Sequence, residues 1–220
     1  GGEMKSNFEA CMAHIFASEG GYVDHPSDPG GATNMGITIG TLSQWRGRKV
    51  TKADVKSLTK DEAMRIYAAK YWKPVQGDDL PDGLDLMAFD AAVNSGPSRG
   101  AKWLQQALGV TVDGKIGPQT IAAAQATYAP AAIQRAVGFR LAFLRSLKTW
   151  PTFGKGWTAR MQRLEASALA MADHKPVAKL ITPKPVDDSI PPKSDPQAFG
   201  LAWLIKFIWQ GLVLLIGGRK

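Results

Sequence analysis

The sequence predicts a mainly α-helical protein, and three observations carry that prediction. Apolar residues recur at helical spacing in several separate stretches. Helix start and stop residues bracket those stretches, and strand-like alternation is scarce. A chain of 220 residues can hold one large core or two small ones. The single cysteine, Cys11, excludes an intrachain disulfide framework and reads as a buried small hydrophobe. With three scattered histidines it makes no metal-ligand cluster, so no metal and no cofactor are predicted.

Each element can be justified in order. Phe8, Cys11, Met12, Ile15 and Phe16 mark one face of a first helix. Glu19 continues that stripe, and Gly20-Gly21 read as the helix C-terminus. Met35–Ile39 is the one short strand candidate. Thr59-Lys60-Asp61-Glu62 is a capping-box pattern with Leu58 as a staple. The helix it opens runs through Ala63, Ile66, Tyr67 and Tyr71 and stops before Pro74. Leu84, Met87, Ala88, Ala91 and Ala92 define a helix from about Asp82 to Ser95. Ser98 can cap the next, through Trp103, Leu104 and Leu108, ended by Gly109. Pro118 opens a further helix from a first-turn position where proline is tolerated. A long helix follows Pro130, with Ile133, Val137, Leu141, Leu144 and Leu147. A last one covers about Thr158 to Met171.

The predicted organisation is a first unit over 4–95, a second over 96–172, a linker over 173–197 and an apolar segment over 198–218. Gly1–Glu3 ahead of Met4 read as a cloning remnant, and the interrupted first apolar face does not read as a signal peptide. Pro176, Pro183, Pro185, Pro191, Pro192 and Pro196 keep the linker from building a core. Residues 198–218 have membrane-spanning length but contain Lys206 and Gln210, four apart on one face. Their Leu, Ile, Val and Phe residues supply roughly −5 kcal/mol towards insertion, against about +3 for Lys206 and a further cost for Gln210. The segment therefore either spans a membrane or forms an amphipathic helix docked on the protein or on a membrane surface.

The net charge of +8 is unevenly spread. Residues 1–95 carry 10 Lys/Arg against 13 Asp/Glu, and residues 96–172 carry 10 against 2. A slightly acidic segment joined to a strongly basic one implies two jobs, the basic part meeting a polyanion or acidic surface. A nucleic acid reading would use Arg135, Arg140, Arg145 and Lys148. That series is not confined to one helix face and has no recognition motif, so no nucleic acid partner is predicted.

Glu19 is the residue that carries chemistry. On the buried stripe, at the negative end of a helix, a carboxyl group is expected to favour its neutral form. A protonated carboxyl near neutral pH is what a general acid requires. Two glycine pairs and a proline, in Gly20-Gly21 and Asp28-Pro29-Gly30-Gly31, build a tight loop that can return Asp28, Thr33 and Asn34 over Glu19. One acid with a second polar group is the arrangement used in glycoside hydrolysis. Spacing alone leaves a plain alternative open, a helix capped by Gly-Gly and a turn at Asp-Pro-Gly-Gly.

Glu19-Gly-Gly-Tyr22-Val, Asp28-Pro-Gly-Gly and Thr33-Asn34-x-Gly-Ile-Thr together resemble the signature of glycoside hydrolase family 108. Its members are lysozyme-like muramidases of phage endolysins and bacterial secretion accessory proteins. The resemblance implies a lysozyme-like helical domain and Glu19 as the catalytic acid. Asp28 and Thr33 are implied as its assistants by the similarity to the Glu-x8-Asp-x5-Thr triad of phage lysozymes, from which this chain departs by one residue before Thr33. Tyr22, Asn34 and Asn94 are the candidate substrate contacts. Asn94 belongs to Phe89–Gly96, which matches the family's later helix, and reads equally as a polar cap before Gly96.

A second resemblance covers about residues 96–170. Ala107-Leu108-Gly109-Val110-x-Val112-Asp113-Gly114-x-Ile116-Gly117-Pro118-x-Thr120 is similar to a helical peptidoglycan-binding module. Its motif reads as mostly architectural. The resemblances imply bacterial peptidoglycan as the partner and cleavage between N-acetylmuramic acid and N-acetylglucosamine, for cell lysis. The apolar segment 198–218 and the linker before it imply a place at the inner membrane or its periplasmic face, with a soluble cytoplasmic pool also open. A non-catalytic cell-wall binding or secretion accessory role is the alternative. Retention or inversion, host range and oligomeric state are not readable from the sequence.

Overall fold

The computed structural model describes residues 7–24 and 31–173. The chain begins with α1 (Phe8–Ser18). A hairpin follows, of β1 (Thr33–Asn34) and β2 (Ile37–Thr38). Then come α2 (Ile39–Arg46), α3 (Lys52–Lys56) and α4 (Lys60–Tyr67). One π-helical turn (Ala68–Trp72) and two short 3-10 turns lead into α5 (Leu84–Ser95). The remainder is α6 (Pro97–Leu108), α7 (Pro118–Ala126), α8 (Ala129–Arg145) and α9 (Trp150–Ala172). The mainly α class is therefore as expected. Among the described residues no helix is long and apolar enough to cross a membrane. The predicted linker and the 198–218 segment lie outside the described residues.

Several local expectations are revised. The α4 N-terminus is capped by Thr59, whose hydroxyl accepts from Glu62 N. The reciprocal half of a capping box is missing, because Glu62 is engaged by Arg46 at 2.7 and 2.9 Å. A complete box forms instead at Thr51 and Asp54, ahead of α3. Ser98 is not a cap: Gly96 takes that place and Pro97 starts α6. The strand candidate Met35–Ile39 shrinks to β2, since Ile39 already belongs to α2. The last helix starts at Trp150, eight residues earlier than predicted. Gly154 looks like a helix breaker but serves packing, because a β-carbon there would collide with the Trp150 indole.

α5 is the hub. From Leu84 to Asn94 every residue is buried, since α6, α8 and α9 all pack on it. α6 comes close enough that a β-carbon on Gly100 would lie 2.9 Å from Ala88 O and Ala92 N. One buried cluster runs from Cys11 and Ile15 of α1 to Met161 and Leu164 of α9. The acidic and basic sequence segments thus share a core.

An ionic triad crosses that core. Asp90 of α5, with no exposed surface, meets Arg140 of α8 at 2.8 Å and Arg160 of α9 at 2.7 Å. Burial opposes ionisation of Asp90, but the guanidiniums of Arg160 and Arg140 outweigh it and hold the carboxyl well below the usual range. His14 of α1 sits near this charge and pairs through Nδ1 with Ser167 Oγ at 3.1 Å. Two of the ten cations counted in the basic segment are therefore internal. Arg140, one of the four cations in the nucleic acid reading, has no surface to offer.

Two predictions follow from this core. Asp90→Asn leaves two buried guanidiniums facing a neutral amide, and loss of one partner of a buried ion pair costs about 3–5 kcal/mol. Thermal unfolding of the variant should be lowered by many degrees, whereas substitutions at exposed Lys148 should leave it unchanged. The second concerns Asp85, which accepts from Gly83 N at 2.8 Å and Leu86 N at 2.6 Å at the start of α5. Burial lifts its carboxyl from 3.8 to about 6. The folded state thus holds this proton to higher pH than the unfolded chain does. The associated stability is complete below pH 3.8 and is lost as pH rises through about 6. Asp85→Asn keeps an acceptor oxygen without the charge. Melts at pH 4 and pH 7 should show the variant gaining on the native protein at the higher pH.

Candidate active site

α1 ends one residue before Glu19. Glu19 takes an extended conformation (φ −98°, ψ 136°) and its N–H donates to Ile15 O at 2.9 Å. It is half-buried, not enclosed on the α1 core face as the periodicity implied. Gly20 and Gly21 do not form a left-handed helix cap. A β-carbon on either would meet open space.

The chain then returns to Glu19 through backbone pairing. Val23 and Thr33 exchange two N–H···O bonds of 2.8 Å, closing the loop between them. Thr33 continues into the hairpin, opposite Thr38, with Asn34 opposite Ile37. The two turn residues, Met35 (φ 47°) and Gly36 (φ 74°), both have positive φ, as the tightest hairpin turns require. Gly36 is needed for a second reason. A β-carbon there would fall on Tyr67 Oη and on the Glu19 carboxyl group. The Glu19 carboxyl thus lies directly against the turn.

Met35 pays the cost of its left-handed backbone, roughly 1–2 kcal/mol. Part of the compensation is visible. Tyr67 Oη donates to Met35 O at 3.0 Å. The Tyr67 side chain is fully buried, with edge-on contacts to Phe16 and Phe89 at 6.1 and 6.3 Å between ring centres. Burial raises the phenol well above its ordinary value, so it remains a neutral donor.

The other predicted residues fall around this turn or away from it. Asp28 lies outside the described residues. Thr33 is half-buried, and its hydroxyl makes only a long contact to Gly31 O at 3.4 Å. Tyr22 is half-buried, with the Lys56 ammonium 6.0 Å from its ring centre. The neighbouring Asp24 pairs with Lys52 at 3.0 Å, so α3 flanks this strand. Asn34 is buried and donates to Val55 O and Lys56 O at 3.0 and 3.2 Å, tying the hairpin to the end of α3. Asn94 is 1% exposed and donates to Asp90 O, so it presents no surface to a polymer. Tyr67 and Met35 were not singled out by the sequence. Tyr67 read as one more apolar position of α4, and nothing local places it beside Glu19, 48 residues earlier.

The geometry offers one carboxyl at the negative end of a helix, lodged against a backbone turn, with a buried hydroxyl beside it. Among the described residues no group of His, Cys, Asp and Glu could hold a metal ion. The description Glycosyl hydrolase 108 matches residues 12–96, and Predicted Peptidoglycan domain matches residues 99–162. A solved structure, that of Brucella abortus SagA, is similar to the chain at 54% identity and a TM-score of 0.69. The match covers 76% of this chain and 97% of that one. The chain belongs to the glycosyl hydrolase 108 family. No curated protein matches it.

Membership makes the protein a lysozyme-like glycoside hydrolase that acts on peptidoglycan, with a helical peptidoglycan-binding region. In this family member the first match contains the Glu19 turn and ends at Gly96, where α5 gives way to α6. The second match is built around Gln105. Its amide donates to Asp113 Oδ1 at 2.7 Å and Lys115 O at 3.0 Å, and its carbonyl accepts from Gly114 N at 2.9 Å. The Asp113-Gly114 motif is therefore architectural, as its sequence implied.

Gly36→Ala tests the turn. The added methyl group needs a left-handed backbone and displaces the Glu19 carboxyl or Tyr67 Oη. Hydrolysis of purified cell walls should fall by at least tenfold, with a measurable loss of thermal stability. Gly20→Ala, where the space is open, should retain most activity.

Proposed function

We propose that the protein cleaves the β-1,4 bond between N-acetylmuramic acid and N-acetylglucosamine, with Glu19 as general acid. The observation that supports this most directly is the placing of the Glu19 carboxyl, out of the helix and against the Met35-Gly36 turn. A half-buried carboxyl against that turn can meet a glycosidic oxygen and deliver a proton to it. The departing sugar leaves an oxocarbenium-like carbon, which a water or a carboxylate then satisfies. Asp28 and Thr33 are the residues we assign to that second task, on the motif they share with Glu19. Tyr22 is assigned to the walls of the glycan cleft, and Asn34 to holding the hairpin on α3.

The basic region supplies attachment. Lys102, Lys115, Arg135, Lys148 and Lys155 are exposed. Peptidoglycan carries stem-peptide carboxylates, so these cations favour residence on the wall and weaken with salt. The shared core means that this binding belongs to the whole body and is to be measured on the full chain. A role in bacterial cell lysis, and attachment to the inner membrane through 198–218, are proposed from the sequence alone.

Glu19→Gln retains shape and removes the transferable proton. Turbidity clearance of purified walls should drop at least about a hundredfold, the scale of general acid catalysis, with an unchanged melting curve. Mass spectrometry of fragments released by the native protein should show a reducing-end N-acetylmuramic acid. Near-normal clearance by a folded Gln variant would remove Glu19 from the role. Fragments ending in reducing N-acetylglucosamine would overturn the bond assignment.

A further inference from the structure

We infer that Tyr67 is a positioning residue for catalysis, acting through the Met35-Gly36 turn on the carboxyl of Glu19. The inference rests on Glu19 being the acid. Three observations carry it. Tyr67 Oη is buried, and its 3.0 Å bond to Met35 O holds a non-glycine residue at φ 47°. Tyr67 Oη and the Glu19 carboxyl crowd the same point beside the Gly36 α-carbon. The Tyr67 ring lies edge-on to Phe16 and to Phe89, with Tyr71 5.6 Å away between ring centres. The hydroxyl therefore has little freedom, and neither does the turn it holds.

The consequence is mechanical. Glu19 follows the last residue of α1, and a β-carbon on Gly20 or Gly21 would meet open space. The Glu19 carboxyl lies against the turn on the other side. Without the hydroxyl, Met35 loses the partner that offsets its left-handed backbone, and the turn can relax away from Glu19. A displacement of about 1 Å in a catalytic group can cost up to a hundredfold in rate. Substrate binding along the rest of the cleft need not change.

The test compares four full-length proteins on soluble glycan fragments of peptidoglycan: native, Tyr67→Phe, Phe143→Leu and Glu19→Gln. Tyr67→Phe keeps the ring and deletes only the hydroxyl. Its kcat should fall roughly ten- to a hundredfold with KM within about twofold of native. Phe143→Leu removes a buried ring that pairs with Trp103, between α8 and α6, and leaves the hydroxyl bond in place. It should lose at least as much thermal stability while keeping kcat close to native. A folded Tyr67→Phe with native kcat overturns the proposal, as does an equal loss of kcat in Phe143→Leu, which would tie the loss to stability alone. Activity retained in Glu19→Gln sinks the acid assignment and this proposal with it. Activity lost in Glu19→Gln but retained in Tyr67→Phe sinks the positioning role alone.

Discussion

The carboxylate of Asp90 is the constraint on which the rest of the structure depends. It lies fully buried on the central helix and faces two guanidiniums from the two longest helices. A buried charge is tolerable only when paired, so this site requires α5, α8 and α9 to arrive together. Hydrophobic burial would accept many packings of small and medium side chains along α5. An ion triad accepts few, because each misplacement strands a charge. The residue also crosses the line between the two family regions, which makes them one folding problem.

That constraint explains why charge counting along the sequence overstated the basic surface. Arg140 and Arg160 serve the interior, and the acid they answer is in the other segment. Arg99 is also drawn inward, with its guanidinium 5.1 Å from the Phe143 ring centre and 5.9 Å from that of Trp103. The cations left on the surface are mostly lysines. Lysine is a mobile, well-hydrated point charge, suited to weak attraction along an acidic polymer and not to bidentate recognition.

Features that depend on neighbours in sequence were legible. The helical periods, the Thr59 cap, Pro118 at a first turn and Gly109 at a helix end all emerge from residues a turn apart. Glu19 with its glycine-rich loop was legible as a site for the same reason. Features that depend on distant partners were not. Glu62 looked like half of a capping box until Arg46 claimed it. The last helix is readable only from about Thr158, because nothing local shows that Gly154 accommodates the Trp150 indole. Tyr67 looked like core, and it is core, but only the fold reveals that its one polar atom ends at the back of the Glu19 turn. Asn34 and Asn94 were legible as polar residues near the motif, yet their amides answer backbone carbonyls.

The site and the core are joined by a continuous run of contacts. Arg140 and Arg160 hold Asp90, and Asp90 adjoins Phe89 on α5. Phe89 lies edge-on to Tyr67 and to Trp72, the latter 5.3 Å away between ring centres. Trp72 leaves the π-helical turn that follows α4, where Lys73 N–H reaches back to Ala68 O. That wider turn ends α4 between Tyr67, which goes to the site, and Trp72, which goes to the core. Tyr67 in turn meets Met35 at the hairpin. A left-handed methionine in a two-residue turn is an unfavourable local choice, and such strain persists where the surroundings over-determine it. Here the surroundings are the aromatic cluster and, behind it, the buried ion triad. The strained turn that lodges against Glu19 is thus supported by the same interaction that unites the two halves of the chain.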